Sequence, residues 1–447
     1  MANSYVLDMT EGNETKLLIK FAVPMLIGNI FQQFYNIVNS VVVGKFVGDT
    51  ALAGVGIVGS LNFMFFSMCL GMAIGVGVIV SHYFGAKDET KVKRTIGNAI
   101  YLIGGIGMLM SILGVVLARP ILMFLNTPDE VMPYALSYMR VLCGGIIFVA
   151  GYNGIAAILR AVGDSKTPLI FLIISSMVNV SLDLLFVVVL ELGVAGAAAS
   201  TVTSQAVAMI GSIVFALRTN KYVQIQKEHM KFHKSIFMQS VKIGIPVGLQ
   251  NAFISFSIVA LQRVVNGFGT TIMAAFTATG RVEQLINQPF NSIGAALSTF
   301  TGQNLGMGNH ERVKRGVRNS MRIVITFSLF ALIVFSFTSE WIVGCFVSNP
   351  ESIALGAKAL RITSLFYIAL GTIYVTRGVL NGAGDGGFAL FNGVIEVVGR
   401  VGFSMLFISI PMIGVWGVWI TTGMTWFITG AAGMTRYLKG KWKNIHI

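Results

Sequence analysis

Charged side chains are scarce in this chain. Asp, Glu, Lys and Arg make up 11% of its 447 residues, whereas a soluble domain averages about 25%. That scarcity excludes a water-soluble fold of this size, because its surface could not be covered. Cysteine is nearly absent as well. Cys69, Cys143 and Cys345 lie in or beside apolar stretches and spell neither a disulfide framework nor a metal spacing. No Ser/His/Asp order, Cys/His pair, phosphate loop or metal motif occurs, so the chain does not read as an enzyme, and no cofactor is expected. Five histidines are present. His82 ends an apolar run, His310 lies in a loop, and His229, His233 and His446 lie in polar segments. The i,i+4 pair His229/His233 is read as solvated, not metallated. The polar start from Met1 to Lys16 predicts no cleavable leader.

Apolar length is what the chain has instead: 55% of residues are hydrophobic. Runs long enough to span a bilayer fall at roughly 17–42, 51–82, 95–118, 132–158, 168–190, 194–217, 239–264, 271–303, 316–338, 353–380, 388–410 and 414–436. The net charge of +14 could suggest nucleic acid, but its distribution excludes that partner. Lys87, Lys91, Lys93 and Arg94 follow the second run, Arg160 and Lys166 the fourth, and Arg312, Lys314, Arg315 and Arg318 the eighth. A basic linker fills 218–238, and Arg436, Lys439, Lys441 and Lys443 close the chain. The alternate loops hold far fewer. This is the orientation signal of a multi-pass membrane protein with both termini in the cytoplasm, so the partners expected are the cell-membrane bilayer and small molecules. The linker reads as a hinge facing lipid headgroups.

The chain also repeats itself. Tyr83-Phe84-Gly85-Ala86-Lys87 returns as Asn304-Leu305-Gly306-Met307-Gly308, and 306 − 85 is 221. The same shift relates Gly163-Asp164 to Gly384-Asp385, Gly193 and Gly196 to Gly414 and Gly417, and Arg140 to Arg361; Pro24 matches Pro246 with one residue of slippage. A period this long is not a solenoid. The fold expected is an all-α membrane protein of about twelve transmembrane helices, in two six-helix lobes related by a parallel repeat. The domains are residues 1–217, a cytoplasmic linker at 218–238, and residues 239–447.

Ionisable residues inside a span are costly and point to function. Asp183 lies deep in the fifth run, roughly 22 Å from its start at 1.5 Å per residue. Asn179 is one turn earlier on the same face, and Asn39 and Thr201 come to a similar depth from the first and sixth runs. One carboxylate among amide and hydroxyl oxygens suits a proton or a hard cation. In the second half, Glu283 is placed on the cavity wall facing substrate or Arg400, and Glu396 and Arg400 form an i,i+4 pair open to a structural or a gating role. Arg140, Arg281 and Arg361 are the remaining charges in spans, and the repeat-related Arg140 and Arg361 read as snorkelling. Pro24 interrupts the first run and is expected to kink the gating helix there. Met64, Phe65, Phe66, Met68, Phe253, Phe256, Phe276 and Phe290 offer soft and aromatic cavity surface.

Several ordered motifs carry a resemblance. Phe21-Ala22-Val23-Pro24, Asp49-Thr50-Ala51-Leu52-Ala53, Arg160 to Pro168 (RAVGDSKTP), Gly193 to Ala198 (GVAGAA) and Gln303 to Asn309 (QNLGMGN) together resemble the multidrug and toxic compound extrusion family over almost the whole chain. The resemblance implies two six-helix lobes around a shared cavity, and efflux of amphipathic, cationic compounds driven by inward flow of protons or sodium. Asp183, Asn179 and Thr201 occupy the coupling-site positions of the DinF-type branch, where Asn39 stands in place of a second aspartate. That departure favours protons, because sodium would find one negative ligand. The acids of the NorM-type branch have no counterpart in residues 251–257 or beside Leu370 and Gly371. A monomer is expected. The alternative is a flippase of lipid-linked saccharides on a related fold, which would want a strongly cationic cavity.

Overall fold

The twelve apolar runs form helices in the computed structural model, which describes residues 6–445; no strand occurs among the described residues. In chain order the α-helices are α1 (Glu14–Phe46), α2 (Asp49–Gly85), α3 (Glu89–Phe124), α4 (Met132–Gly144), α5 (Ile146–Ala161), α6 (Lys166–Asp183), α7 (Gly193–Thr219), α8 (Lys234–Asn266), α9 (Thr270–Gly306), α10 (His310–Gly344), α11 (Pro350–Ser364), α12 (Tyr367–Gly382), α13 (Gly386–Ile408) and α14 (Gly417–Leu438). Eight of the described helices are long and apolar enough to cross a membrane alone, α6 with its extension to Val189. Two more spans are bent pairs: α4 with α5 at 44°, and α11 with α12 at 52°. With α9, 37 residues long, and α14, 22 residues long, they complete twelve spans.

The repeated sequence positions are turn chemistry. Positive φ occurs at Gly48 and Gly269, Lys87 and Gly308, Gly163 and Gly384, and Gly193 and Gly414; 269 − 48, 308 − 87, 384 − 163 and 414 − 193 are all 221. Glycine adopts this backbone without steric cost. The residue after each is often a helix cap. Asp88 accepts from the Lys91 amide and Asn309 from the Arg312 amide, at 2.9 and 3.0 Å. Asp164, just before α6, accepts from the Thr167 amide at 2.9 Å, and Asp385 caps α13 through the Phe388 amide at 3.2 Å.

The described residues fall into two compact units. Unit 1 holds residues 6–10 and 23–252, and unit 2 holds Glu11–Ala22 and 253–445. The repeat halves and the contact units differ because the first part of α1 packs in unit 2 and the first part of α8 in unit 1. In unit 1, α2 packs on α3, α4 and α5, α3 on α4 and α5, and α7 on α4, α5 and α6. In unit 2, α9 packs on α10, α11 and α12, α10 on α11 and α12, and α14 on α11, α12 and α13. Every packing in one list has its counterpart in the other.

Pro24 lies inside α1, which continues as helix through it; the proline leaves no amide to donate to the Lys20 carbonyl. The switch of α1 from unit 2 to unit 1 falls beside it, at Ala22/Val23. The linker is not a free hinge. The Asn98 side chain on α3 donates to the Lys231 carbonyl at 3.2 Å and accepts from the His233 amide at 2.8 Å, and the Tyr101 hydroxyl donates to the Met230 carbonyl at 2.9 Å. His229 is buried, its Nδ1 accepting from the Gln226 amide at 3.0 Å. It shares no helix with His233. His446 lies outside the described residues. Phe65 and Phe290 are buried within the units, so they face helices and not a cavity.

Candidate functional site

Residues Val194 to Ala199 are all small or β-branched and apolar, so α7 can approach α6 closely. That approach buries Asp183 at 0% exposure, the last residue of α6 before a π-helical stretch from Leu184 to Val189. Such wide turns are frequent at functional positions. The Ser200 hydroxyl on α7 donates to Asp183 Oδ1, while Oδ2 is buried without a partner. Asn179 Nδ2 donates to Ser200 Oγ and Thr201 Oγ1, both at 3.4 Å. Asn39 Nδ2 on α1 donates to the same Thr201 oxygen at 3.4 Å. Among the described residues no basic side chain pairs with Asp183, and no three His, Cys, Asp or Glu side chains converge to hold a metal.

The structure therefore brings together Asp183, Asn179, Asn39 and Thr201, which the sequence placed at one depth. It adds Ser200, which carries the direct bond to the carboxylate. Counting from Asp183 could have found it: the two share a helix pair, and Ser200 adjoins Thr201 in an otherwise alanine-rich turn. Around the cluster, the Tyr35 hydroxyl is hydrogen-bonded by Gln32 and Gln205, and Tyr35 and Tyr138 both lie in the field of Asp183.

Unit 2 holds a different cluster. Glu396, 4% exposed, is bridged by Arg377 at 2.6 Å and Arg400 at 3.2 Å. Arg377 also donates to Asn392 Oδ1 at 2.8 Å, and Arg400 to Ser257 Oγ at 3.0 Å. Glu283 is hydrogen-bonded by Thr363 and lies in the field of Arg400; its Oε1 is buried without a partner. The expected Glu396–Arg400 pair is present, but Arg377 completes it. Sequence reasoning missed Arg377, because its partner is on another helix and no spacing rule links them. Arg361 reaches Glu340 at 3.3 Å and Ser339 at 2.9 Å, and Arg281 is exposed.

Two bundles of six spans, each with its own buried ionisable cluster, define a membrane transporter. The family model described as MatE matches residues 24–185 and again 246–429. The chain belongs to the multidrug and toxic compound extrusion (MATE) family. It is 31% identical over 438 residues to "Probable multidrug resistance protein YpnP" of Bacillus subtilis (strain 168), covering 98% of this chain and 97% of that protein. It is 24% identical over 410 residues to "Multidrug export protein MepA" of Staphylococcus aureus (strain MSSA476), covering 90% and 89%. Among solved structures, the outward-facing conformation of a multidrug resistance MATE family transporter matches with a TM-score of 0.92 at 22% identity, covering 100% of both chains. A MOP superfamily transporter from Pyrococcus furiosus matches at 0.91 and 22%, covering 100% and 99%.

Proposed function

We propose that this chain exports small amphipathic, cationic organic compounds across the cell membrane by antiport with protons, with both termini in the cytoplasm. The observation that carries the reading is Asp183. It is a fully buried carboxyl with one orphan oxygen, touched only by neutral groups. An isolated carboxylate is too costly to bury, so such a group takes up a proton or a cation. The shell supplies a single acid, with Asn39 where a second carboxylate would serve sodium, and this supports the proton. The same residues support a place nearer the DinF-type than the NorM-type branch. Occupancy of Asp183 and binding of the organic cation disfavour one another, a coupling of about 1–3 kcal/mol, and the lobes alternate access as a monomer. The flippase alternative is not favoured. The buried charges of unit 2 balance, with Arg377 and Arg400 against Glu396 and Glu283, which is not the strongly cationic cavity a polyanionic lipid precursor requires.

The test is ethidium efflux from vesicles carrying wild type or Asp183→Asn, under a pH gradient without sodium and under a sodium gradient without a pH gradient. Wild type is expected to export on the pH gradient alone and the variant to lose export at least tenfold. Export by wild type on sodium alone, or undiminished export by the variant, refutes the reading.

A further inference from the structure

We propose that unit 1 carries its own exit for the coupling proton: a buried polar column from Asp183 past Gln205 and Tyr35 to Tyr152, which delivers the proton to the cytoplasmic face inside one lobe. The inference rests on the reading of Asp183 as the coupling acid.

The geometry begins with depth. Asp183 is 17 residues from the Lys166 end of α6, about 25 Å at 1.5 Å per residue. At that end, the Tyr152 hydroxyl on α5 donates to the Pro168 carbonyl at 2.9 Å. A proton leaving Asp183 toward the cytoplasm therefore crosses about 22 Å of bundle interior before it meets Tyr152. A purely apolar interior would stop it. Instead α7 turns Gln205 and Ser212, seven residues apart and so on one face, into the interior at 5% and 0% exposure. Gln205 Oε1 and Ser212 Oγ are both buried without partners.

An orphaned buried polar atom costs about 1–3 kcal/mol, and Ala208 and Ala216 on this same helix are fully buried, so small apolar side chains fit the interior there. The two orphans are explained if they accept hydrogen bonds from a file of water. Tyr35 lies within electrostatic range of both ends of the column. It is hydrogen-bonded by Gln205, and its hydroxyl shares an electrostatic field with Asp183 on one side and Tyr152 on the other. In each transfer a hydroxyl or water accepts one proton and releases another, so the column resets with no net chemistry. Gln205 accepts and orients without itself carrying the proton.

Two measurements on purified protein test this: ethidium efflux from proteoliposomes under a pH gradient, and stopped-flow release of protons when ethidium is added in detergent. Gln205→Leu, Tyr152→Phe and Ser212→Val, the last farther from Asp183 along α7, are each expected to slow release and efflux at least tenfold. The number of protons released per protein should stay that of wild type, and Gln205→Asn should recover most of the rate. Wild-type rates in all three variants overturn the column while leaving Asp183 as the coupling acid. A fall in the proton count alongside the rate also overturns it, because the residues would then only be holding Asp183 in place. If wild type itself releases no proton, the coupling role of Asp183 fails, and the column with it.

Discussion

Replacing Glu396 by Gln removes the carboxylate that separates the buried Arg400 from the half-buried Arg377. Arg377 and Arg400 approach its two oxygens to 2.6 and 3.2 Å, which holds the contacting guanidinium nitrogens no more than about 8 Å apart. At an effective dielectric of about 20, two like charges at that separation repel by roughly 2 kcal/mol. The lost charge-assisted hydrogen bonds add to this, and breaking a buried pair from one side costs about 3–5 kcal/mol in total. Arg377→Gln is the control. It leaves Glu396 still neutralised by Arg400 and removes a partly accessible partner, so it should cost about 1–2 kcal/mol. For a lobe of some 200 residues, each kcal/mol moves the unfolding midpoint by roughly 2–4 °C. Thermal unfolding in detergent, followed by tryptophan fluorescence, should therefore place Glu396→Gln about 6–20 °C below wild type and Arg377→Gln only a few degrees below. A Glu396→Gln midpoint within 2 °C of wild type, or a larger loss from Arg377→Gln, would refute the ion-triad argument. A stable Glu396→Gln protein with abolished efflux would make the triad a working part of transport and not a fastener.

Three further outcomes are expected. A Cβ at Gly71 would lie 2.3 Å from the Gly244 carbonyl and 2.6 Å from Gly248 Cα, so Gly71→Leu forces α2 and the start of α8 apart and should lower the unfolding midpoint by several degrees; an unchanged midpoint would show that this approach is not tight. Asp385 caps α13 and also accepts from Arg436 at 2.8 and 3.1 Å, whereas Asp164 accepts from the start of α6 without an arginine. Asp385→Asn should therefore retain the cap and lose only the ion pair, less than the roughly 1–3 kcal/mol expected for Asp385→Ala, as read from urea or thermal midpoints. Pro24→Ala restores an amide for the Lys20 carbonyl and should slow ethidium efflux with no loss of folded protein; normal efflux would remove Pro24 from the gating account.

The spans were legible because twenty apolar residues have one stable solution in lipid, a hydrogen-bonded helix. The Asp183 cluster was legible for a related reason: rise per residue converts sequence position into depth, so four polar residues on three helices could be placed at one level. What depth cannot give is rotation about the helix axis and the choice of partner. That is why Ser200 and Arg377 escaped notice and why Phe65 and Phe290 were assigned to a cavity they do not face. The breaks at Gly145 and near Phe366 were also hidden, since a bent pair and a straight helix share one hydropathy profile. The docking of residues 230–233 on Asn98 was hidden too, because a polar linker looks the same whether its amides bond to water or to a neighbouring helix.

The repeat separates structure from function within the sequence itself. At the shift of 221, the turns keep their chemistry: a positive φ at each corner, and at the 87/308 and 163/384 corners an Asp or Asn side chain that accepts from the backbone of the following helix. The buried charges do not. Position 404, equivalent to Asp183, is a serine; Glu396 and Arg400 correspond to Ser175 and Asn179; Arg377 corresponds to Ala156 and Glu283 to Asn62. Within the spans, two bundles with one packing scheme thus bury different polar contents: Asp183 without a basic partner among the described residues in one, and Glu396 bridged by two arginines in the other. A pair that neutralises itself is indifferent to the ion gradient, whereas a lone acid must exchange ions to change its charge. The asymmetry supports the proposed placement of ion coupling in unit 1. It also makes Asp183 and Ser404 the informative comparison: Asp183→Ser, which gives unit 1 the residue its twin already tolerates, should fold normally and lose proton-driven efflux.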